Sequence, residues 1–456
     1  MTTTALDAHR HLNTTDPRID QIATTIAERG VEYIYYQVVT LTGRTVAKVV
    51  PAVHLRRNLV KGVQFHRTAL TDLHVDRSGA LIGGGEEAAE LTGLPDLSTF
   101  AVLPWDTSMA RFLCYAYEPE HFPGVGGSPM ALDTRSVLRR AHTEFTEQTE
   151  LVLKSGCEPE MTWYGPGMDV YVRPGGGAAY QTGNLELMRP IFKQVITYAR
   201  AMGLDMIEGD YEDPGQLELN WMFDDCEITA DRLITYRQIC HQVAKENGVK
   251  ASFMAKPAQG RMGNACHHNI SLWKGAENVF VDAGRRELHL SKTGLHAVGG
   301  ILAHAAGSTA IMASTVNSYK RFWDQGQFAP ATASWGLDNR TCTARISAVG
   351  RIEYKIPDAS VNPYLSHTVL LAAIKDGLDN ATDPGDPQQG NSSGSAHPAL
   401  PLTLGDALTA FKADPVIRGC LPGALADEYV AMKFDEWARA CGAVTDFDRD
   451  MYLEFL

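Results

Sequence analysis

Four stretches of this chain place polar, metal-capable side chains at every second position with apolar residues between them. They are Glu158-Pro-Glu160, Gln216-Leu-Glu218-Leu-Asn220, His267-His-Asn269-Ile-Ser271 and Arg351-Ile-Glu353-Tyr-Lys355. Successive side chains of a strand point to opposite faces, so each stretch offers one polar row and one mostly apolar row. If the four share a sheet, one face carries carboxylate and imidazole groups from every strand while the other packs on a core. A sheet face turned to solvent would mix Lys, Glu, Thr and Ser instead of repeating ligand residues. The pattern predicts a divalent-metal site lining a sheet.

Around these strands the periodicity changes. Residues 17–30 read as a helix that starts at Asp16-Pro17 and stops at Gly30. Two strands, VEYIYYQVVTL and TVAKVVPA, follow across a Thr-Gly-Arg turn, then a short helix (HLRRNLVKG), a loop-rich stretch, and strands at STFAVLPWD and RFLCYAYE. Residues 117–130, rich in Pro and Gly, read as a linker. Beyond it, helices over SVLRRAHTEFTEQ, LELMRPIFKQVITYARAMG and DRLITYRQICHQVAKENG alternate with the polar-faced strands. This predicts an α+β chain: a small N-terminal domain over 17–125 and a large C-terminal domain over 126–456, its antiparallel sheet backed by helices. Residues 382–398 are of low complexity and read as an exposed loop between helices.

Composition narrows the class of function. The 456 residues are 44% hydrophobic and 21% charged, with net charge −13 and pI near 5.6. That acidity argues against a binder of nucleic-acid backbone. No apolar run is long enough to span a bilayer, and the N-terminus lacks the apolar segment of a signal peptide. The eight cysteines are scattered without a C-x-x-C pair, which reads as reduced core thiols of a cytoplasmic protein.

Carboxylates two apart on a strand lie roughly 7 Å apart on one face, so each can serve a different cation. Glu158 and Glu160, Glu212 and Glu218 around the Pro214-Gly215 turn, His267 and Glu353 form a donor set of oxygens with one imidazole, which suits Mg2+ or Mn2+ better than Zn2+. Arg321, Arg340, Arg345, Arg351 and Lys355 follow in sequence. Guanidinium forks beside divalent cations are what phosphoryl transfer requires, because charge spreads over the moving oxygens.

The order CEPEMTWYG, EDPGQLELNW, FMAKPAQGRMGNACHHNISLW, NSYKRFWDQGQFAPATASWGLDNRTCTARI and RIEYKIPDASVNPYL resembles the glutamine synthetase superfamily. The resemblance implies a small β-grasp-like N-terminal domain and a large catalytic domain. It also implies stacked rings of subunits, a dodecamer, with each active site between neighbours. The implied reaction is ATP-dependent phosphorylation of the glutamate side-chain carboxylate, followed by attack of an amine. Implied ligands are Glu160, Glu212 (or Asp210 in its place) and Glu218 for one cation, and Glu158, His267 and Glu353 for the other. Arg321 and Arg340, with Glu160, Gly263 and Lys355, fall at glutamate and phosphate positions. Ser271, Asn269, Phe223, Arg345 and Arg351 fall at nucleotide positions.

The departures bear on the amine. Where the family carries an ammonium-binding Asp, this chain reads Phe65-His66-Arg67-Thr68. The family's flap Glu is Phe328, in Gly326-Gln327-Phe328-Ala329-Pro330. A cationic pocket has lost its acids, which disfavours ammonium and favours a neutral, apolar body. The reading from sequence is therefore a γ-glutamyl ligase for a bulky, aromatic amine, similar to γ-glutamylanilide synthases, with His66 and Phe328 at the amine. An alkylamine or polyamine ligase, with Asp72 as a possible acid, and an inactive structural ring protein are the alternatives.

Overall fold

The computed structural model describes residues 3–165, 177–282, 284, 289–324 and 328–455. Its first sheet comprises β1 (Tyr33–Val39), β2 (Thr45–Pro51), β3 (Val63–His66), β4 (Glu90–Pro95), β5 (Ala101–Leu103) and β6 (Asp106–Tyr117), in the order β2-β1-β6-β4-β3 with β5 on β6. Helices α1 (Ala5–Thr15), α2 (Arg18–Arg29) and α3 (Leu55–Lys61) accompany it. Helix α2 ends as read, at Gly30 with φ +67°. Helix α1 was not foreseen; its signal is the reciprocal cap between Thr4 and Asp7. Strands β3 and β4 occupy part of the stretch read as loop, because β4 carries a Gly and a Pro that weaken any strand pattern.

The 117–130 segment is a folded loop, not a free linker: Tyr117 bridges Pro129, and Met130 N–H donates to the Ala116 carbonyl. After it come α4 (Thr134–Thr149) and a ten-stranded sheet made of β7 (Val152–Tyr164), β8 (Met206–Tyr211), β9 (Gln216–Trp221), β10 (Asp224–Asp225), β11 (Lys250–Ser252), β12 (Cys266–Lys274), β13 (Glu277–Asn278), β14 (Trp335–Leu337), β15 (Ala344–Ala348) and β16 (Arg351–Tyr354). The four alternating stretches are neighbours in it, in the order β16-β12-β7-β9, all antiparallel. Register sets Glu158 opposite His267, Glu160 opposite Glu218, and Glu353 opposite both Asn269 and Arg345.

The reverse row of the same strands is apolar. Leu153, Met161, Trp163, Leu217, Leu219, Ile270, Leu272 and Ile352 are all buried, each such side chain contributing roughly 1.5–3 kcal/mol. Helices α4, α5 (Thr182–Leu187), α6 (Arg189–Ala201), α7 (Cys226–Glu246), α8 (Lys292–Ala303), α9 (Ala305–Met312), α10 (Lys320–Trp323) and α11 (Pro363–Asp379) complete this part up to the 380s, with α4, α7 and α11 packed together behind the sheet. The helix read over 185–203 is two, divided at Met188 just before Pro190, which cannot donate within a continuous helix. The 382–398 stretch has no helix or strand, yet it is tied down. Trp335 Nε1 donates to the Gly385 carbonyl (3.0 Å), and Ser392 is fully buried.

All eight cysteines are free thiols, six of them buried. Among the described residues no single helix is long and apolar enough to cross a membrane; the apolar pair α8 and α9 is bent by 73°. At that bend His304 lies between Asp414 (2.8 Å) and Asp376 (3.1 Å). Burial opposes its charge, but the two carboxylates outweigh it and raise its pKa above the ordinary imidazole value. A raised folded-state pKa gives stability that is complete below the unfolded value, near 6.5, and is lost as pH climbs through the folded value. Thermal melts of wild type should therefore lose stability over that interval, and His304→Gln melts should be flatter there.

Candidate active site

The polar face of the large sheet carries two clusters of ligand-type side chains. In the first, one oxygen each from Glu160, Glu212 and Glu218 lies within 4.8 Å of the others. A tight turn makes this possible. Gly215, at φ +75°, sits so close to the Trp163 carbonyl that a Cβ would meet its oxygen at 2.6 Å. That approach brings Glu212 and Glu218 back over Glu160. Asp210 stays outside the trio, on β8 opposite Glu218.

Burial and the Glu218 charge push the Glu160 carboxyl up to about 8, and burial and Glu160 push Glu212 up to about 9. Burial, Glu158 and Glu212 raise Glu218 as well. Glu212 Oε2 and Asp210 Oδ1 are buried without a hydrogen-bond partner. Three converging acids with an orphaned oxygen and no ion-paired base among the described residues fit a hard divalent cation.

The second cluster is Glu158, His267 and Glu353, again within 4.8 Å. His267 Nδ1 is 3.3 Å from Glu158 and 3.5 Å from Glu353. Its charge balance is the opposite of the first. Lys355 Nζ lies 3.2 Å from Glu353 Oε1 and 3.3 Å from His267 Nε2, and Arg345 donates to Glu353 Oε2 at 2.8 Å. Burial would raise the Glu353 carboxyl, but Lys355, His267 and Arg345 outweigh it and hold it at about 2. Burial and the Lys355 charge lower the His267 pKa, keeping the imidazole neutral as a ligand must be. Asn269 orients Glu158 through a 2.7 Å hydrogen bond.

A cavity of about 50 Å3 opens on these groups, lined by Glu160, Glu212, His267, Arg321, Arg340 and Lys355 on its charged side. Met262, Phe328 and Ala329 form its apolar side. Gly263 is required there, since a Cβ would collide with Arg321 Cγ at 2.6 Å and the Ala255 carbonyl at 2.8 Å. Arg321 is buried and donates to the Ile356 carbonyl (3.2 Å). Phe328, half exposed, holds a positive φ of 58° that a phenylalanine rarely adopts; its neighbours Gly326 and Gln327 lie outside the described residues.

Sequence reading missed Lys256, which lines the cavity, is buried and pairs with Asp324 at 2.6 Å. Gln216, placed on the ligand row from sequence, has a role not read there: its amide donates to Glu160, the Gly263 carbonyl and Asn264. A lone Lys in Phe-Met-Ala-Lys-Pro and an amide on the ligand row were the available signals.

Other sequence candidates sit elsewhere in this chain. His66 is on the first sheet, bonded to Thr68 Oγ1 (2.6 Å) and near the Glu86 carbonyl (3.2 Å), and does not line the cavity. Asp72 accepts from Thr42 and faces a separate cleft of about 1100 Å3. Along β12, Ser271 Oγ accepts from Trp273 Nε1 (2.9 Å), and Phe223 stacks on Trp273 with centroids 5.9 Å apart. Arg351 donates to Ser347 Oγ (2.8 Å).

The family model for the glutamine synthetase catalytic domain matches residues 131–452. The chain belongs to the glutamine synthetase family. It is an ATP-dependent γ-glutamyl ligase of that family, with Mg2+ or Mn2+ as its metal cofactor. It is 31% identical to a glutamate–methylamine ligase of Methyloversatilis universalis, over 94% of this chain and 98% of that enzyme. A glutamine synthetase of Rhizobium meliloti is 30% identical, over 95% of this chain and 99% of that one. Among solved structures, a GmaS/ADP complex matches with TM-score 0.85 at 30% identity, covering 95% of this chain and 99% of that chain, and a ligand-free GmaS with TM-score 0.83 at 31% identity, with the same coverage.

Proposed function

We propose that this ligase joins the γ-carboxylate of glutamate to a small alkylamine through a γ-glutamyl phosphate. The observation that carries the reading is one cavity in which members of both ligand clusters (Glu160, Glu212 and His267), four basic side chains and an apolar wall meet. Glu160, Glu212 and Glu218 would hold one cation and Glu158, His267 and Glu353 the other. When bound, the cations neutralise phosphate oxygens and polarise the phosphoryl group. Arg321, Arg340 and Lys355 hold glutamate and the transferring phosphoryl group, while Arg345 fixes Glu353. The glutamate carboxylate displaces ADP, and the amine then displaces phosphate from the acyl carbon.

Similarity over nearly the whole chain to a glutamate–methylamine ligase favours an alkylamine over the aromatic amine read from sequence. The acids lost at His66 and Phe328 disfavour any protonated amine, ammonium or alkylammonium, so the amine enters in its neutral form. A neighbouring copy in a ring-shaped homo-oligomer would bring its own His66 segment to the amine side, which explains why His66 lies apart from the cavity within one chain.

Phosphate release with glutamate, ATP and Mg2+ across methylamine, ethylamine, a polyamine, aniline and ammonium tests the reading; methylamine or ethylamine should lead. An alkylamine is protonated at neutral pH, so its rate should rise with pH toward the amine's pKa near 10, whereas an aniline-driven rate should not. Phe328→Glu should shift kcat/KM for ammonium relative to methylamine by about tenfold or more, roughly 1.4 kcal/mol. An unchanged ratio would remove Phe328 from the amine site.

A further inference from the structure

Directly behind the carboxylate face lies a third ligand cluster that the ligase chemistry does not use. Cys157 on β7, and Cys266 and His268 on β12, occupy the reverse positions of the strands that carry Glu158 and His267. One Sγ from each cysteine and one ring nitrogen of His268 lie within 4.8 Å of one another, and all three residues are buried. We infer that Cys157, Cys266 and His268 form a binding site for a soft, low-coordinate metal ion, Cu+, that staples β7 to β12.

The protonation pattern around His268 supports this independently of the distances. The Ser366 hydroxyl donates to the Pro363 carbonyl at 3.1 Å, leaving its oxygen to accept from His268 Nε2 at 2.8 Å. With the ring proton on Nε2, the tautomer in which Ser366 accepts, the Nδ1 lone pair faces the thiols, 3.7 Å from Cys157 Sγ. Bond lengths of about 2.3 Å to sulfur and 2.05 Å to nitrogen, at trigonal to tetrahedral angles, put those atoms about 3.6–3.8 Å apart. The hydroxyl that fixes the imidazole is the kind of outer partner a metal-bound histidine requires.

Charge and donor number select the ion. Two thiolates with Cu+ carry one net negative charge. The half-buried Arg237, on the wall of the large cleft, is close enough for its charge to act on Cys266 and Cys157; it donates to the Ala359 and Val361 carbonyls while its Nε lacks a hydrogen-bond partner. Thiolate and imidazole donors suit Cu+, whereas Zn2+ in a closed site takes four ligands, and this cluster supplies three. Binding releases two thiol protons to solvent and involves no change of oxidation state.

The test uses the whole protein, loaded anaerobically with Cu+ in the presence of a competing chelator. Wild type and Cys441→Ser, which removes the exposed thiol, should each retain one equivalent. The copper absorption edge should report two sulfur neighbours and one nitrogen. Cys157→Ser and Cys266→Ser should each lose that equivalent with unchanged far-UV circular dichroism. Loss of all copper to the chelator in wild type, or a shell without nitrogen, would overturn the site; if a serine variant does not fold, the wild-type shell alone decides. Ligase turnover is not the readout, so the outcome stands apart from the proposed reaction.

Discussion

Glu218→Ala should abolish ATP-dependent ligation, lowering kcat/KM by at least about 10^3-fold, roughly 4 kcal/mol, while leaving the fold intact and no less stable in chelator. Glu218 makes one side-chain hydrogen bond, from Asn220 at 2.7 Å, and otherwise faces other acids. Burial and those neighbours raise its folded-state pKa, so the folded state resists losing this proton. Stability in the absence of cations therefore falls as pH rises from the ordinary carboxyl range toward the raised value, and deleting the group removes that cost. Glu160→Gln should behave alike, with its amide oxygen still able to accept from Ala265 N–H, which bonds Glu160 at 2.6 Å. Activity assays and thermal melts with chelator or Mg2+ separate the two effects. Added Mg2+ should stabilise wild type and leave Glu218→Ala nearly unmoved. Loss of fold together with activity would mean these carboxylates are structural.

Lys355→Met should act with the opposite sign. Its ammonium is buried between Glu353 and His267, and removing it leaves a buried carboxylate with Arg345 as its one basic ion-pair partner beside the His267 imidazole. Breaking one side of a buried charge pair costs about 3–5 kcal/mol. The lowered Glu353 pKa, about 2, reports how strongly the base is needed. Stability that depends on a depressed carboxyl is present above the unfolded pKa and is lost as pH falls through the folded one. The variant should therefore be destabilised across neutral pH, where wild type is not. Denaturation midpoints at pH 7 check this, and Lys355→Arg, which keeps the charge, should recover most of the loss. Equal stability of Lys355→Met and wild type would show that the base carries no structural load.

The contrast between these clusters marks what could be read from the chain alone. Alternation at Glu158–Glu160, Gln216–Asn220, His267–Ser271 and Arg351–Lys355 was enough to place four strands side by side, because a period of two with ligand residues in one row has few other uses. That Glu212, not Asp210, completes the first trio depended on the Gly215 turn, whose close approach to Trp163 no periodicity reveals. Lys256, and the bonding role of Gln216, escaped notice because they arise from contacts across about forty to seventy residues of sequence. The aromatic amine was argued from missing acids alone. Loss of charge says what a pocket excludes and leaves open what it admits, and it is similarity to a glutamate–methylamine ligase that favours an alkylamine.

The most direct test of the central claim is isotope transfer. Glutamate labelled with 18O in its γ-carboxylate, incubated with ATP, Mg2+ and methylamine, should yield γ-glutamylmethylamide and inorganic phosphate carrying one 18O, because the carboxylate oxygen leaves with the phosphoryl group. Unlabelled phosphate, or ATP turnover with no amide formed, would contradict it.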